Sequence, residues 1–254
     1  MHSAILPTIL VGPRCCPRGP PFTARADSSS GDAPSMSLFA RIVDHREPAS
    51  LAARLRRRRH EFFEGLLSGV ARPITILDVG GTVGFWKNFS FARDSAKIIV
   101  LNVRRENVDE AHVESIAGDA RNLSDFADRS IDVVYSNSVI EHVGSFEDQR
   151  RMAEEVRRVG KRYFVQTPNR YFPIEPHFVV PGYQFMPLDL RTFLLTRSRL
   201  GWTPREPDWE RAKEIAASVR LMTIAEVVRL FPEASLYHER FAGLTKSVVA
   251  YHGW

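Results

Sequence analysis

The sequence predicts an α/β fold: a doubly wound sheet, mostly parallel, with a C-terminal antiparallel hairpin. Three observations predict it. From Ile74 onward, short apolar runs alternate with helical segments, a rhythm that gives parallel strands with right-handed crossovers and helices on both faces. The first run breaks off in a glycine-rich turn, Asp78-Val79-Gly80-Gly81-Thr82-Val83-Gly84. The last two runs, Ser235–Phe241 and Thr245–Tyr251, are joined by Ala242-Gly243-Leu244, a hairpin-length connection.

Residues 1–36 read as a disordered tail, because Pro7, Pro13, Pro17, Pro20, Pro21 and Pro34 break any element and Ser28–Asp32 is linker-like. Residues 37–254 read as one domain, with 37–72 a helical extension. Its helix spans 48–70, with Leu51, Leu55, Phe62, Leu66 and Leu67 as the apolar stripe and Arg54 and Arg56–Arg59 on the other faces. Five strands follow: Ile74–Val79, Lys97–Val103, Ser115–Gly118, Ile131–Ser136 and Arg162–Gln166. Helices are expected between them at Phe85–Arg93, Glu106–Ala111 and Phe146–Val159, the last with Met152, Val156 and Val159 on one side. The rhythm then stops. Residues 168–220, rich in Pro and aromatics, read as an insert covering the acceptor, with helices at Asp189–Arg199 and Asp208–Val219; Ile224–Phe231 is the last helix before the hairpin.

The chain has 254 residues, is 44% hydrophobic and 26% charged, and carries a net charge of +5. These values exclude wholesale disorder, collagen and coiled coil, and no apolar run reaches the roughly 18 residues of a membrane-spanning helix. Residues 1–60 hold ten arginines against four acids, so the remainder is one unit negative. Overall basicity is therefore no argument for nucleic acid. The exposed run Arg54–Arg59 leaves peripheral membrane contact or attraction of an anionic partner open. The cysteines, Cys15 and Cys16, are adjacent, and no Cys/His cluster has zinc spacing, so no metal is expected.

Glycines let the main chain turn sharply and approach a ligand, and a helix that follows presents free N–H groups. A phosphate loop is excluded because Gly-Lys-Ser/Thr is absent, and a dinucleotide fingerprint fails because Thr82 and Phe85 stand where its glycines belong. An acid two residues before a glycine, with glycines at offsets of two and four, is matched by Asp78, Gly80 and Gly84, with Thr82 in the middle place. This turn resembles the first motif of class I S-adenosylmethionine-dependent methyltransferases. Gly118-Asp119-Ala120 fits the family's adenine-contacting position. Ser136-Asn137-Ser138-Val139-Ile140-Glu141-His142 is similar to the fourth-strand exit of the type 11 methyltransferase-domain group, and Gln166–Phe178 resembles uncharacterised bacterial members.

That resemblance implies a Rossmann-like, seven-stranded methyltransferase fold and S-adenosyl-L-methionine as cofactor. It places cofactor contacts at Asp78, Gly80, Gly81, Gly84, Asn102, Asp119, Ala120 and Asn137. Asn102 replaces the usual ribose-binding acid, and Glu106 is a substitute. His142 and His177, titrating near neutrality, are the candidate catalytic bases, with Glu141 and Glu175 able to orient them. The implied function is methyl transfer in the cytoplasm to a small-molecule or lipid-like acceptor, at oxygen. The alternatives are a catalytically degenerate binding protein, motivated by Thr82 and Asn102, and an RNA methyltransferase, motivated by Arg54–Arg59.

Overall fold

The computed structural model describes residues 51–86 and 95–254. The expected tail, Cys15 and Cys16, and most of the expected helix Phe85–Arg93 lie outside the described residues.

Helix α1 (Leu51–Leu67) leads into β1 (Ile74–Val79), the short turn of helix α2 (Val83–Trp86), β2 (Ala96–Asn102), β3 (Val113–Ala117) and β4 (Val133–Asn137). Then come α3 (Phe146–Val159), β5 (Tyr163–Pro168), α4 (Leu188–Arg197), α5 (Trp209–Ala217), α6 (Ile224–Leu230), β6 (Ser235–Phe241) and β7 (Leu244–His252). The strands form one seven-stranded sheet ordered β3-β2-β1-β4-β5-β7-β6. β1 to β5 are parallel, and β7 lies antiparallel to both β5 and β6. Strand order reverses beside β1, so the carboxyl ends of β1 and β4 flank the crevice where ligands of such sheets bind.

Period-two alternation sorts each strand between the two faces. Leu77 and Val79 face a core shared with Met152, Ala153, Val156 and Val159 of α3 and Val227 and Leu230 of α6. Ile74 and Ile76 face the opposite core, built with Phe63 and Leu67 of α1 and Val83 and Trp86 of α2. α3 forms where expected: Ser145 and Asp148 make a reciprocal capping box, and Arg157 and Arg158 lie at its carboxyl end, complementing the helix dipole.

Two expectations are corrected. Residues 106–111 form no helix; the Glu106 backbone N–H donates to Ser115 Oγ (2.9 Å) and its carboxylate accepts from Val83 N–H (3.1 Å), so both polar ends of the residue are bonded outside its own segment. The phase of α1 also differs. Its buried stripe is Leu55, Arg59, Phe63 and Leu67, spaced four apart, so Arg59 faces inward rather than lying on a solvated basic face. Apart from Phe85–Arg93, the other expected elements among the described residues appear with ends displaced by at most a few residues.

Phe63 is fully buried, with ring centroids 4.8 Å from Tyr135 and 4.9 Å from Phe164. Phe63→Ala should lower unfolding stability by about 3–5 kcal/mol, whereas exposed Arg57→Ala should change it by less than about 0.5 kcal/mol. Urea denaturation of the two variants checks both the packing and the phase of α1.

Candidate active site

The β1 exit is fixed by its own acid. Asp78 points to the α1 side of the sheet, is 1% exposed, and accepts a hydrogen bond from Trp86 Nε1 (2.7 Å). Burial pushes its pKa up to about 7, against the Trp86 bond, which favours the charge, and with help from nearby Glu106. The main chain of Gly81 passes directly over this carboxyl: a Cβ there would sit 1.7 Å from Asp78 Oδ2. Gly80 has φ +80°, and a Cβ on it would meet Val139 Cγ1 at 2.4 Å. Gly84 differs, since a Cβ there would enter open space. Phe85 stacks on Tyr135, and Trp86 is part of the core.

The neighbouring strand ends secure this turn. Leu101 O accepts from Gly80 N–H (2.7 Å), and Asn102 Nδ2 donates to Gly81 O (2.9 Å). The Glu106 carboxylate caps the first N–H of α2. Asn102 and Glu106, the residues expected at the ribose, also brace the glycine turn. Asp119, after β3, keeps a half-exposed carboxylate; the hydrogen bonds and charge of Arg121 hold its pKa below the usual range. Ala120 has its side chain in the core. At the end of β4, Asn137 Oδ1 accepts a short hydrogen bond from Arg59 Nη1.

The exits of β4 and β5 bring a second group together. Glu141 and His142 lie in a 3-10 turn after β4. Glu141 is fully buried; Oε2 accepts from Thr167 Oγ1 (3.1 Å), Oε1 has no hydrogen-bond partner, and burial raises its pKa. His142 is 8% exposed with neither ring nitrogen partnered, and burial pushes its pKa down to about 3. Its ring stands edge-on to His177, centroids 4.7 Å apart. His177 Nδ1 lies 2.6 Å from Glu175 Oε1, and the other Glu175 oxygen accepts the N–H groups of His177 (2.7 Å) and Phe178 (2.6 Å). Burial opposes charge on His177, but Glu175 and Glu141 outweigh it and raise its pKa.

A cavity of about 130 Å³ is lined by Arg56, Arg59, Ser138, Gln166, Pro168, Phe172, Ile174, Pro176, Trp202, Lys246 and Ser247. Arg59 forms an ion pair with buried Glu239 (3.1 Å), whose other oxygen accepts a short hydrogen bond from Ser247. Sequence reasoning missed Glu239 and Lys246, and it placed Arg59 on an outer face; the four-residue spacing of Arg59 from Leu55 and Phe63 was the available signal of its burial. Of the insert aromatics, Phe172, Phe178 and Tyr183 are buried, while Tyr171 and Phe185 are exposed. Phe178 and Tyr183 sit in a separate small core with Leu195 of α4, Leu200 and Ala212 of α5.

Asp78 sets two expectations. Its folded pKa exceeds the unfolded one, so the unfolded chain ionises first as pH rises; stability is lost between about pH 4 and pH 7, by a few kcal/mol at most. Asp78→Asn should flatten that part of a thermal-denaturation pH series. Gly81→Ala should destabilise strongly, whereas Gly84→Ala should leave the melting temperature within about 2 °C.

Residues 77–163 match the "Methyltransferase domain" family. No curated protein matches the chain. Among solved structures, a possible exported protein from Bordetella parapertussis is 17% identical over 83% of this chain and 77% of its own, with a TM-score of 0.50, a likeness of fold. An S-adenosylmethionine-dependent methyltransferase from Aquifex aeolicus is 14% identical over 78% of this chain and 96% of its own (TM-score 0.44). A protein of Anabaena variabilis, named as a methyltransferase from an antibiotic biosynthesis pathway, is 16% identical (TM-score 0.44); the match covers 70% of this chain and 63% of that one. No helix among the described residues is long and apolar enough to cross a membrane. The glycine turn, Asp119 and the Glu141-His142 exit all lie inside the segment that matches the methyltransferase-domain family.

Proposed function

We propose that the protein methylates an oxygen of a small-molecule acceptor that carries an anionic group on an apolar body. The cofactor, when bound, supplies a methyl group on a sulfonium that is already an activated leaving group. The chain fits it at the β1 exit: Gly84 leaves open space, and the half-exposed Asp119 carboxylate can accept from an amino group. Gly80, Gly81 and Ala120 would offer main chain, Asn102 and Asn137 amide side chains, and Asp78 would act from beneath the turn.

The single observation that carries the acceptor reading is the charge of the 130 Å³ cavity. Arg56, Arg59 and Lys246 border it, and Glu239 is the one carboxylate paired into that group. Lys246 is buried enough that its pKa is lowered, so an anion seated there would meet incompletely hydrated cations. Phe172, Ile174 and Trp202 supply the apolar wall. The cavity volume favours a compact molecule over a lipid chain. The protein's contribution to the reaction is then positional: it holds the acceptor oxygen in line with the methyl group and excludes water. Pro176 of the cavity wall directly precedes His177, and His142 and His177 are the candidate groups for managing the acceptor's proton.

Isothermal titration should show S-adenosylhomocysteine binding in the micromolar range, and Gly84→Val should abolish it without unfolding the protein. Absence of binding to folded wild type would remove the reading. Lys246→Ala should raise KM for the acceptor about tenfold and leave S-adenosylhomocysteine affinity unchanged. Acceptors can be found by following labelled methyl groups into the anionic small-molecule fraction of a cell extract; label in RNA or lipid alone would overturn the acceptor assignment.

A further inference from the structure

We propose that Glu141, His142 and His177 form a binding site for a divalent transition-metal ion of the Zn²⁺ type, next to the acceptor cavity. Each residue offers one ligand atom, and these atoms all lie within 4.8 Å of one another. Bonds of about 2.0–2.2 Å to a shared ion need the donors closer together, which side-chain movements on the order of 1 Å achieve.

Three features make the cluster a site rather than chance packing. First, its polar atoms lack partners where none should. Glu141 Oε1 and both nitrogens of His142 are buried without a hydrogen bond, and leaving such groups unpaired costs about 1–3 kcal/mol each. A cation satisfies the carboxylate and one imidazole nitrogen at once. Second, His177 is already oriented. Its Nδ1–H is taken by Glu175, itself clamped by two main-chain N–H groups, so Nε2 is turned toward Glu141 Oε1 at 4.0 Å. A carboxylate that fixes the tautomer of a ligating histidine is the usual outer support of a metal site. Third, the backbone holds the ligands rigidly. Glu141 O accepts from Arg220 N–H (2.8 Å), and Gln149 Nε2 donates to Ile140 O (3.0 Å).

Two imidazoles and one carboxylate suit Zn²⁺ and its first-row neighbours; Mg²⁺ and Ca²⁺ prefer all-oxygen sets. Three protein ligands leave a coordination position open. The ligands reach the site from two separate loops, which is why no spacing in the sequence announces them. This inference deepens the proposed methyl transfer and rests on it. An acceptor oxygen in the open position would release its proton to solvent more readily and be fixed for attack. Its electron pair forms the bond to the methyl carbon as the carbon–sulfur bond breaks, and that bond's electron pair leaves on sulfur.

The test uses the full chain, stripped of metal by chelator, dialysed and titrated with Zn²⁺ or Co²⁺ alone. Elemental analysis should show stoichiometric uptake, and Co²⁺ should develop the visible absorption of a low-symmetry nitrogen and oxygen site. His142→Ala and His177→Ala should lose uptake. Glu175→Gln, a milder change that keeps the shape, should weaken affinity about 10- to 100-fold with an unchanged circular dichroism spectrum. Folded wild type that takes up neither ion, or uptake that survives His142→Ala, would overturn the proposal. Calorimetry with S-adenosylhomocysteine on the same metal-free protein separates the two readings. Cofactor binding without metal uptake sinks the metal site alone; metal uptake without cofactor binding sinks the methyltransferase reading alone.

Discussion

Polar groups at the carboxyl ends of a buried parallel sheet cannot be left unpaired, and this constraint organises the crevice. A strand's own ladder ends where its loop begins, so each exit depends on a side chain from elsewhere. Asn102 and Glu106 secure the turn after β1, Arg59 reaches from α1 to the end of β4, and Thr167 reaches from β5 to Glu141. Removing one such brace leaves a buried donor or acceptor exposed to no partner, so the exits are coupled. The pairing is incomplete in the cluster around His142, where Glu141 Oε1 and both His142 nitrogens lack a hydrogen bond, and also at Asp78 Oδ1.

Electrostatics divide the crevice. On the α1 side, Asp78 is pushed toward its neutral form by burial, and Arg56, Arg59 and Lys246 gather near the Glu239 carboxylate. Such a basic group attracts an anion and repels a cation. The helix that brings Arg59 is secured by Phe63 against Tyr135 and Phe164, which ties the packing of an apolar core to the placement of a charge.

The strand–helix alternation, the glycine turn and α3 were legible because each rests on local chemistry: short apolar runs, backbone freedom and the one-sided spacing of Met152, Val156 and Val159. The candidate site was legible in part. Asp78, Gly80 and Gly81 are recognisable because bare main chain must pass over the acid. The bracing contacts of Asn102 and Glu106 were not, since they join separate strand exits that only the fold brings together. Arg59 was hidden among five arginines, because its burial follows from the helical phase that sets both Phe62 and Phe63 against the sheet. The meeting of Glu141 and His142 with His177 is a tertiary fact, made by two strand exits that share an edge.

The insert leaves and rejoins the sheet at nearly one point. Arg170 N–H donates to Met222 O, and Arg220 N–H donates to Glu141 O, while its interior carries a separate small core. The entropy cost of closing such a segment grows only slowly with its length, by about 0.6 kcal/mol per doubling. The insert can therefore be lengthened or rebuilt as a cassette while the seven-stranded scaffold stays as it is.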